Sequence, residues 1–226
     1  MRLSTILFPL LFASVSLFSS SAAAQSSNDP FEFSPELRSV GLSMGTFSPS
    51  FNYLNDRTFW DFGTGAGISL DTELSLMPVL GFKLGFGFFQ TNSDVRRGEF
   101  AQLETLEYTF VPLTLALVGR YTFSNVVTAS ISPAIDLYSI DSEYSGSSGV
   151  QSAKGSATGF SITGGLEREF GPIGVELFGK YAMGSFDQEF QFGQGLPVTT
   201  EEISIDGFNM GLTLKYMIHT PLFGGN

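Results

Sequence analysis

The sequence predicts an all-β fold: eight antiparallel strands in up-and-down order, closed into a barrel that crosses a membrane. Three observations predict it. Side chains after residue 25 alternate between apolar and small-or-polar with a period of two, as in a strand with two unlike faces. The alternation recurs in eight runs, several of them 12 or more residues long, enough for a tilted strand to cross a bilayer. The connections between runs alternate long and short, as in barrels with extracellular loops on one side and tight periplasmic turns on the other.

Composition narrows the class. The chain has 226 residues, 24 Phe, 26 Gly, 15% charged residues and no Cys. An average domain carries about 25% charge. A disordered chain would be polar and aromatic-poor, and a disulfide scaffold, thiolate metal site or lipid-anchored lipoprotein would need cysteine. With 11 Lys+Arg against 22 Asp+Glu, no basic surface suits nucleic acid.

Residues 1–24 read as a cleaved signal peptide. Arg2 supplies the positive start, Ile6 to Phe18 the apolar run, and Ser21-Ala22-Ala23-Ala24 the small residues before cleavage at Gln25. Removing 24 of 226 residues leaves 202, and losing Arg2 takes the formal charge from −11 to −12. Residues 25–37 form a periplasmic N-terminal lead-in, 38–218 the barrel, and 219–226 a C-terminal tail.

The strands are expected at about 38–47, 62–76, 79–90, 106–122, 126–139, 158–170, 173–185 and 204–218. In the second, Phe62, Ala66, Ile68, Leu70, Leu74 and Leu76 alternate with Gly63, Gly65, Gly67, Ser69, Asp71 and Glu73. In the third, Leu80, Phe82, Leu84, Phe86 and Phe88 alternate with Gly81, Lys83, Gly85 and Gly87. The last sets Phe208, Met210, Leu212, Leu214, Tyr216 and Ile218 against Asn209, Gly211, Thr213 and Lys215. Long connections fall at 48–61, 91–105, 140–157 and 186–203. Short ones are Met77-Pro78, Phe123-Ser124-Asn125 and Gly171-Pro172. With both termini on the periplasmic side, all four long loops lie outside.

The glycine-rich face decides which side points inward. A water-facing exterior would carry Lys, Glu and Thr, since glycine weakens a strand. Inside an eight-strand barrel there is just enough room for side chains, and small residues leave space for a few large charged ones. The opposite Leu, Phe and Ile face suits hydrocarbon.

Two segments carry a family resemblance. Val111-Pro112-Leu113 leading to Arg120-Tyr121-Thr122-Phe123 has the look of a fourth strand, and Leu214-Lys215-Tyr216-Met217-Ile218 that of the terminal signal read by barrel-insertion machinery. The chain resembles the small eight-strand outer-membrane proteins of the OmpA/OmpX type and the generic outer-membrane β-barrel family of Gram-negative bacteria. It departs from that pattern by continuing from His219 through Phe223 to Asn226. The resemblance implies the cell outer membrane as location and outer-membrane lipid and the barrel-assembly machinery as partners. Members share a shape rather than one activity.

Charges on the inward face are the candidate machinery: Asp71, Glu73, Asp136, Glu167, Glu169 and Glu176, with Lys83, Arg120, Lys180 and Lys215. Folding each hairpin about its turn sets Lys83 across from Asp71 and Glu73, and Glu167 nearly opposite Glu176. Two facing carboxylates repel unless a base intervenes. The set is expected to form a plug of ion pairs that closes the lumen, with a switchable gate for small ions as the alternative.

Catalytic constellations are not expected. His219, the sole histidine, falls on the periplasmic side, away from where a barrel hydrolase would need it. A Glu167/Glu176 carboxylate pair would need an open lumen. Gly63-Thr64-Gly65-Ala66-Gly67 has no following helix, so it is no phosphate loop. The sequence asks for no cofactor and no metal. Arg168 points outward near the boundary, where it can snorkel.

The long loops sum to −7, with −4 from Asp187, Glu189, Glu201 and Glu202. No calcium-loop spacing appears, and solubility accounts for the acids, as solvation does for Arg96-Arg97. Phe47, Phe51, Tyr53, Phe59 and Trp60 are expected in an aromatic girdle at the outer interface. The functional expectation is a monomeric outer-membrane barrel, not an enzyme, with a structural role or a surface partner met by its outer loops. A narrow gated pore is the second reading and a secreted lipocalin-like ligand-binding barrel the third.

Overall fold

The computed structural model describes residues 30–49, 63–96, 103–124, 127–146, 149–190 and 199–222. Among these residues ten strands appear: β1 (Glu36–Pro49), β2 (Gly65–Met77), β3 (Leu80–Arg96), β4 (Leu103–Ser124), β5 (Val127–Gly146), β6 (Gly149–Phe170), β7 (Ile173–Met183), β8 (Ser185–Phe190), β9 (Thr199–Ser204) and β10 (Gly207–Pro221). Eight of them close a ring in the order β1-β10-β7-β6-β5-β4-β3-β2, with antiparallel neighbours throughout. β8 and β9 form a separate hairpin. Among the described residues no helix is long and apolar enough to cross a membrane.

The ring has the orientation that the glycine face implies. Val40, Leu42 and Met44 on β1, Ile68 and Leu70 on β2, Phe82 to Phe88 on β3, and Phe208 to Tyr216 on β10 present their apolar members outward. Phe86 is 58% exposed and Leu212 54%. Ser39, Ser43, Glu73, Thr213 and Lys215 are buried inside. An apolar exterior over a polar interior inverts a water-soluble protein and suits a hydrocarbon solvent. Closing the ring pairs the first and last strands, so no sheet edge is left open within it.

Glycines make room for charge. A Cβ on Gly81 would collide with the Arg120 guanidinium and the Leu74 carbonyl, and one on Gly165 with the Glu176 carboxylate. Gly171 takes φ +66°, the left-handed conformation that a two-residue hairpin turn needs, and it lies with Pro172 between the paired Phe170 and Ile173. Pairing of β3 with β4 breaks between Phe86↔Leu113 and Phe89↔Phe110, where Pro112 has no N–H to give. A Cβ on Gly87 would stand 3.2 Å from the Pro112 ring.

Three expected loops are partly strand. β3 and β4 continue to Arg96↔Leu103, and β5 and β6 pair as far as Gly146↔Gly149. The 186–203 connection carries the β8–β9 hairpin. The extensions stand clear of hydrocarbon: Asn92, Asp94, Glu143, Ser152 and Lys154 face outward and are exposed. Where the outer surroundings are polar, the apolar alternation disappears while backbone pairing continues. Smaller differences lie at the ends. The β2–β3 turn is Pro78-Val79 rather than Met77-Pro78. Gly184 separates β7 from β8, and His219 is inside β10 rather than past it. The expected signal segment 1–24 and the girdle residues Phe51, Tyr53, Phe59 and Trp60 lie outside the described residues.

Candidate functional site: a layered lumen

The lumen is filled in layers. All ten charged residues expected inside point inward, and an eleventh joins them. Nearest the periplasmic end, Arg120 Nε donates to Glu73 at 2.6 Å, and its Nη1 reaches Ser75 Oγ at 3.3 Å. Lys215 Nζ lies 2.5 Å from Glu167, 2.9 Å from Glu176 and 3.5 Å from Glu73. Lys83 Nζ is 3.7 Å from Glu176, and Ser130 Oγ donates to Glu176 at 3.2 Å. Lys83 is the register partner of Glu73, yet its ammonium reaches across the lumen instead. The eleventh residue, Arg38, hydrogen-bonds Glu167 and lies 2.8 Å from Glu169 and 3.6 Å from Glu73. Every ring strand thus supplies a side chain to this layer.

Arg38 escapes simple alternation. It shares parity with the outward Val40, Leu42 and Met44. The register of β1 against β2 shifts between Leu37↔Leu74 and Ser39↔Glu73, leaving Arg38 as the extra residue of a bulge. A bulge re-aims one side chain, here into the lumen. Six acids therefore meet five bases, and the facing carboxylates of Glu167 and Glu176 are bridged by Lys215.

A second, smaller polar group lies further out. Lys180 Nζ donates to Asp136 at 2.9 Å, and Thr114 also hydrogen-bonds Asp136. Ser43 Oγ is 2.7 Å from Thr213 Oγ1 and 3.3 Å from Asp71.

The outermost layer is apolar. Leu106, Tyr108, Phe110, Tyr138, Ile140, Phe186, Ile203 and Ile205 form one buried cluster, with Phe89 packed against it. Phe89 stacks on Phe110 at 4.7 Å and meets Phe47 at 4.6 Å. Phe47 is 4% exposed, which corrects its expected place in an outer girdle; it has the inward parity of Ser43 and Gly45. The hairpin supplies Phe186 and Ile203 and is tied down by Gln188, which accepts from Tyr108 Oη at 2.5 Å and donates to Ser142 at 3.1 Å. Sequence reasoning treated 186–203 as an acidic loop. The signal was there in Phe186, Ile203 and Ile205, isolated apolar residues among acids.

Outside the lumen, Arg168 faces outward with its guanidinium 5.0 Å from the Phe170 ring. His219 Nδ1 lies 3.2 Å from Glu36 at the periplasmic end. Among the described residues no group of three His, Cys, Asp or Glu could hold a metal ion.

Residues 10–216 match the family described as outer membrane protein beta-barrel domain. The chain belongs to that family. It is an outer-membrane protein, located in the cell outer membrane. No curated protein matches the sequence. Among solved structures, Neisserial surface protein A (NspA) is similar with a TM-score of 0.54 at 8% identity, covering 81% of this chain and 99% of NspA. OprG from Pseudomonas aeruginosa is similar with a TM-score of 0.51 at 11% identity, covering 82% of this chain and 98% of OprG. At such identities the likeness concerns the fold.

Proposed function

We propose that this protein is a monomeric outer-membrane scaffold with a plugged lumen, working through its outer face rather than as a pore or an enzyme. One observation carries the reading: an ionic layer fed by all eight ring strands and an aromatic cluster under the β8–β9 hairpin occupy the lumen in series. Breaching one leaves the other. The extended β3–β6 wall, with Asp94, Glu143, Ser152 and Lys154 exposed, supplies a polar surface beyond the membrane for a partner. Outer-membrane lipid surrounds the apolar belt, and the assembly machinery reads the last strand through Tyr216 to Ile218.

The test is reconstitution into planar bilayers and liposomes. The plugged reading expects no steady conductance and no swelling with small sugars. A steady conductance rejects it. The second reading, a narrow gated pore, is favoured by the long 3.7 Å contact of Lys83 with Glu176. It expects the conductance of Lys83→Ala, Lys180→Ala or Lys215→Ala to rise. No change in any of the three ends it.

A further inference from the structure

Between the ionic layer and the aromatic cluster lies a cavity of about 130 Å³ with two unlike sides. The outer side is lined by Phe47, Phe89 and Tyr138. Their rings pack on one another, with centroids 4.6 Å apart for Phe47 and Phe89 and 6.4 Å for Phe89 and Tyr138. Glycines leave the wall beside them bare, Gly85 and Gly87 among them. A Cβ on Gly85 would meet nothing closer than Thr114 at 3.5 Å. That is an ordinary contact, so packing does not demand the glycine.

The inner side carries donors. Lys83 and Lys180 both line the cavity, with side chains 16% and 18% exposed. Lys180 gives one hydrogen bond, to Asp136. Lys83 lies 3.7 Å from Glu176, too far for a hydrogen bond, and among the described residues it makes none. An ammonium has three N–H donors, so most of these donors meet no acceptor on the wall. Thr163 adds a hydroxyl. Charge, by contrast, is already matched, because Asp71 and Glu176 stand on the same walls. The site is short of acceptors, and an anion would bring an unmatched charge into an enclosed space.

Water suits the donors but not the rings. A buried water needs about two to four polar partners, which the Phe47, Phe89 and glycine side does not offer. We propose that the cavity takes one small neutral molecule, a single ring bearing a hydroxyl or carbonyl oxygen. The oxygen accepts from the Lys83 and Lys180 ammonium groups, and the ring lies against Phe47, Phe89 and Tyr138. An engineered apolar cavity of about 150 Å³ takes up benzene although it is buried, so neither volume nor a closed position bars such a ring. The inference goes beyond the scaffold reading, since a plugged lumen and a conducting one would both hold this molecule.

The experiment is fluorine NMR of 4-fluorophenol added to the full mature protein in detergent micelles, with fluorobenzene as the analogue lacking the oxygen. A saturable bound resonance, one ligand per protein, is expected for 4-fluorophenol in the wild type. At equal free concentration fluorobenzene binds at least about tenfold more weakly, as a lost hydrogen bond to a charged group requires. Gly85→Val fills the space and abolishes the bound resonance. Lys83→Met removes one ammonium at similar volume and weakens 4-fluorophenol by about tenfold. If Lys83→Met does not fold, the two ligands compared on the wild type still test the donors. No saturable resonance in the wild type, a resonance that survives Gly85→Val, unchanged binding in folded Lys83→Met, or fluorobenzene binding as tightly as 4-fluorophenol each overturns the proposal.

Discussion

Glu167 and Glu176 stand directly opposite each other on β6 and β7, and both carboxylates touch the Lys215 ammonium, at 2.5 and 2.9 Å. Removing that ammonium leaves two like charges facing in a closed space. Breaking a buried ion pair from one side costs about 3–5 kcal/mol. Lys215→Met is expected to lower stability by that order in urea titrations in detergent micelles. Adding Glu167→Gln and Glu176→Gln removes the repulsion and recovers more than half of the loss. If the triple variant is no more stable than Lys215→Met, the bridging role is wrong.

Arg38 gives a test of sign. Facing lipid, an arginine would be replaced by leucine with a gain in stability. Facing Glu167, Glu169 and Glu73, its replacement strands Glu169 and leaves Glu167 and Glu73 to Lys215 and Arg120 alone. Arg38→Leu is therefore expected to destabilise by about 2–5 kcal/mol, measured as the urea midpoint at constant m-value. A stabilised variant would put Arg38 outside.

The apolar belt makes the opposite prediction. Phe86 is 58% exposed and faces hydrocarbon, so Phe86→Lys costs about 2–4 kcal/mol if it lies near the midplane. Asn92→Lys, on the polar extension of β3, stays within about 0.5 kcal/mol of wild type. Equal costs at both sites would mean that the belt is misplaced.

Two barriers in series behave differently from one. Phe186→Ala with Ile203→Ala loosens the hairpin from the aromatic cluster but leaves the ionic layer intact. Lys215→Ala does the reverse. Planar-bilayer recordings are expected to show wild-type current for each alone and a raised current for the combination. A full increase from the hairpin variant alone would leave the ionic layer no part in closure.

Much of this was legible in the sequence because the barrel wall separates two solvents. Where one face meets lipid, alternation marks every strand, and the parity that puts Phe86 outside puts Lys83 inside. Reading failed where that contrast ends. Ser152 and Lys154 turn the outer face of β6 to water rather than lipid, so their pattern looks like loop. Arg38 sits on a bulge, and a one-residue slip reverses facing without any mark in composition. Phe47 was assigned by its neighbourhood near a loop, although its parity already pointed inward. Which partner Lys83 takes depends on distances across the lumen, and pairing along the wall does not specify them.

The central claim is the direction in which the two faces point, and tryptophan quenching by brominated lipid tests it most directly. In a Trp60→Phe background, single tryptophans replace Phe86, Leu212, Phe89 or Phe110 in reconstituted protein. Strong quenching of Phe86→Trp and Leu212→Trp, with Phe89→Trp and Phe110→Trp left bright, is the expected result. Quenching of the second pair with the first protected would contradict the account.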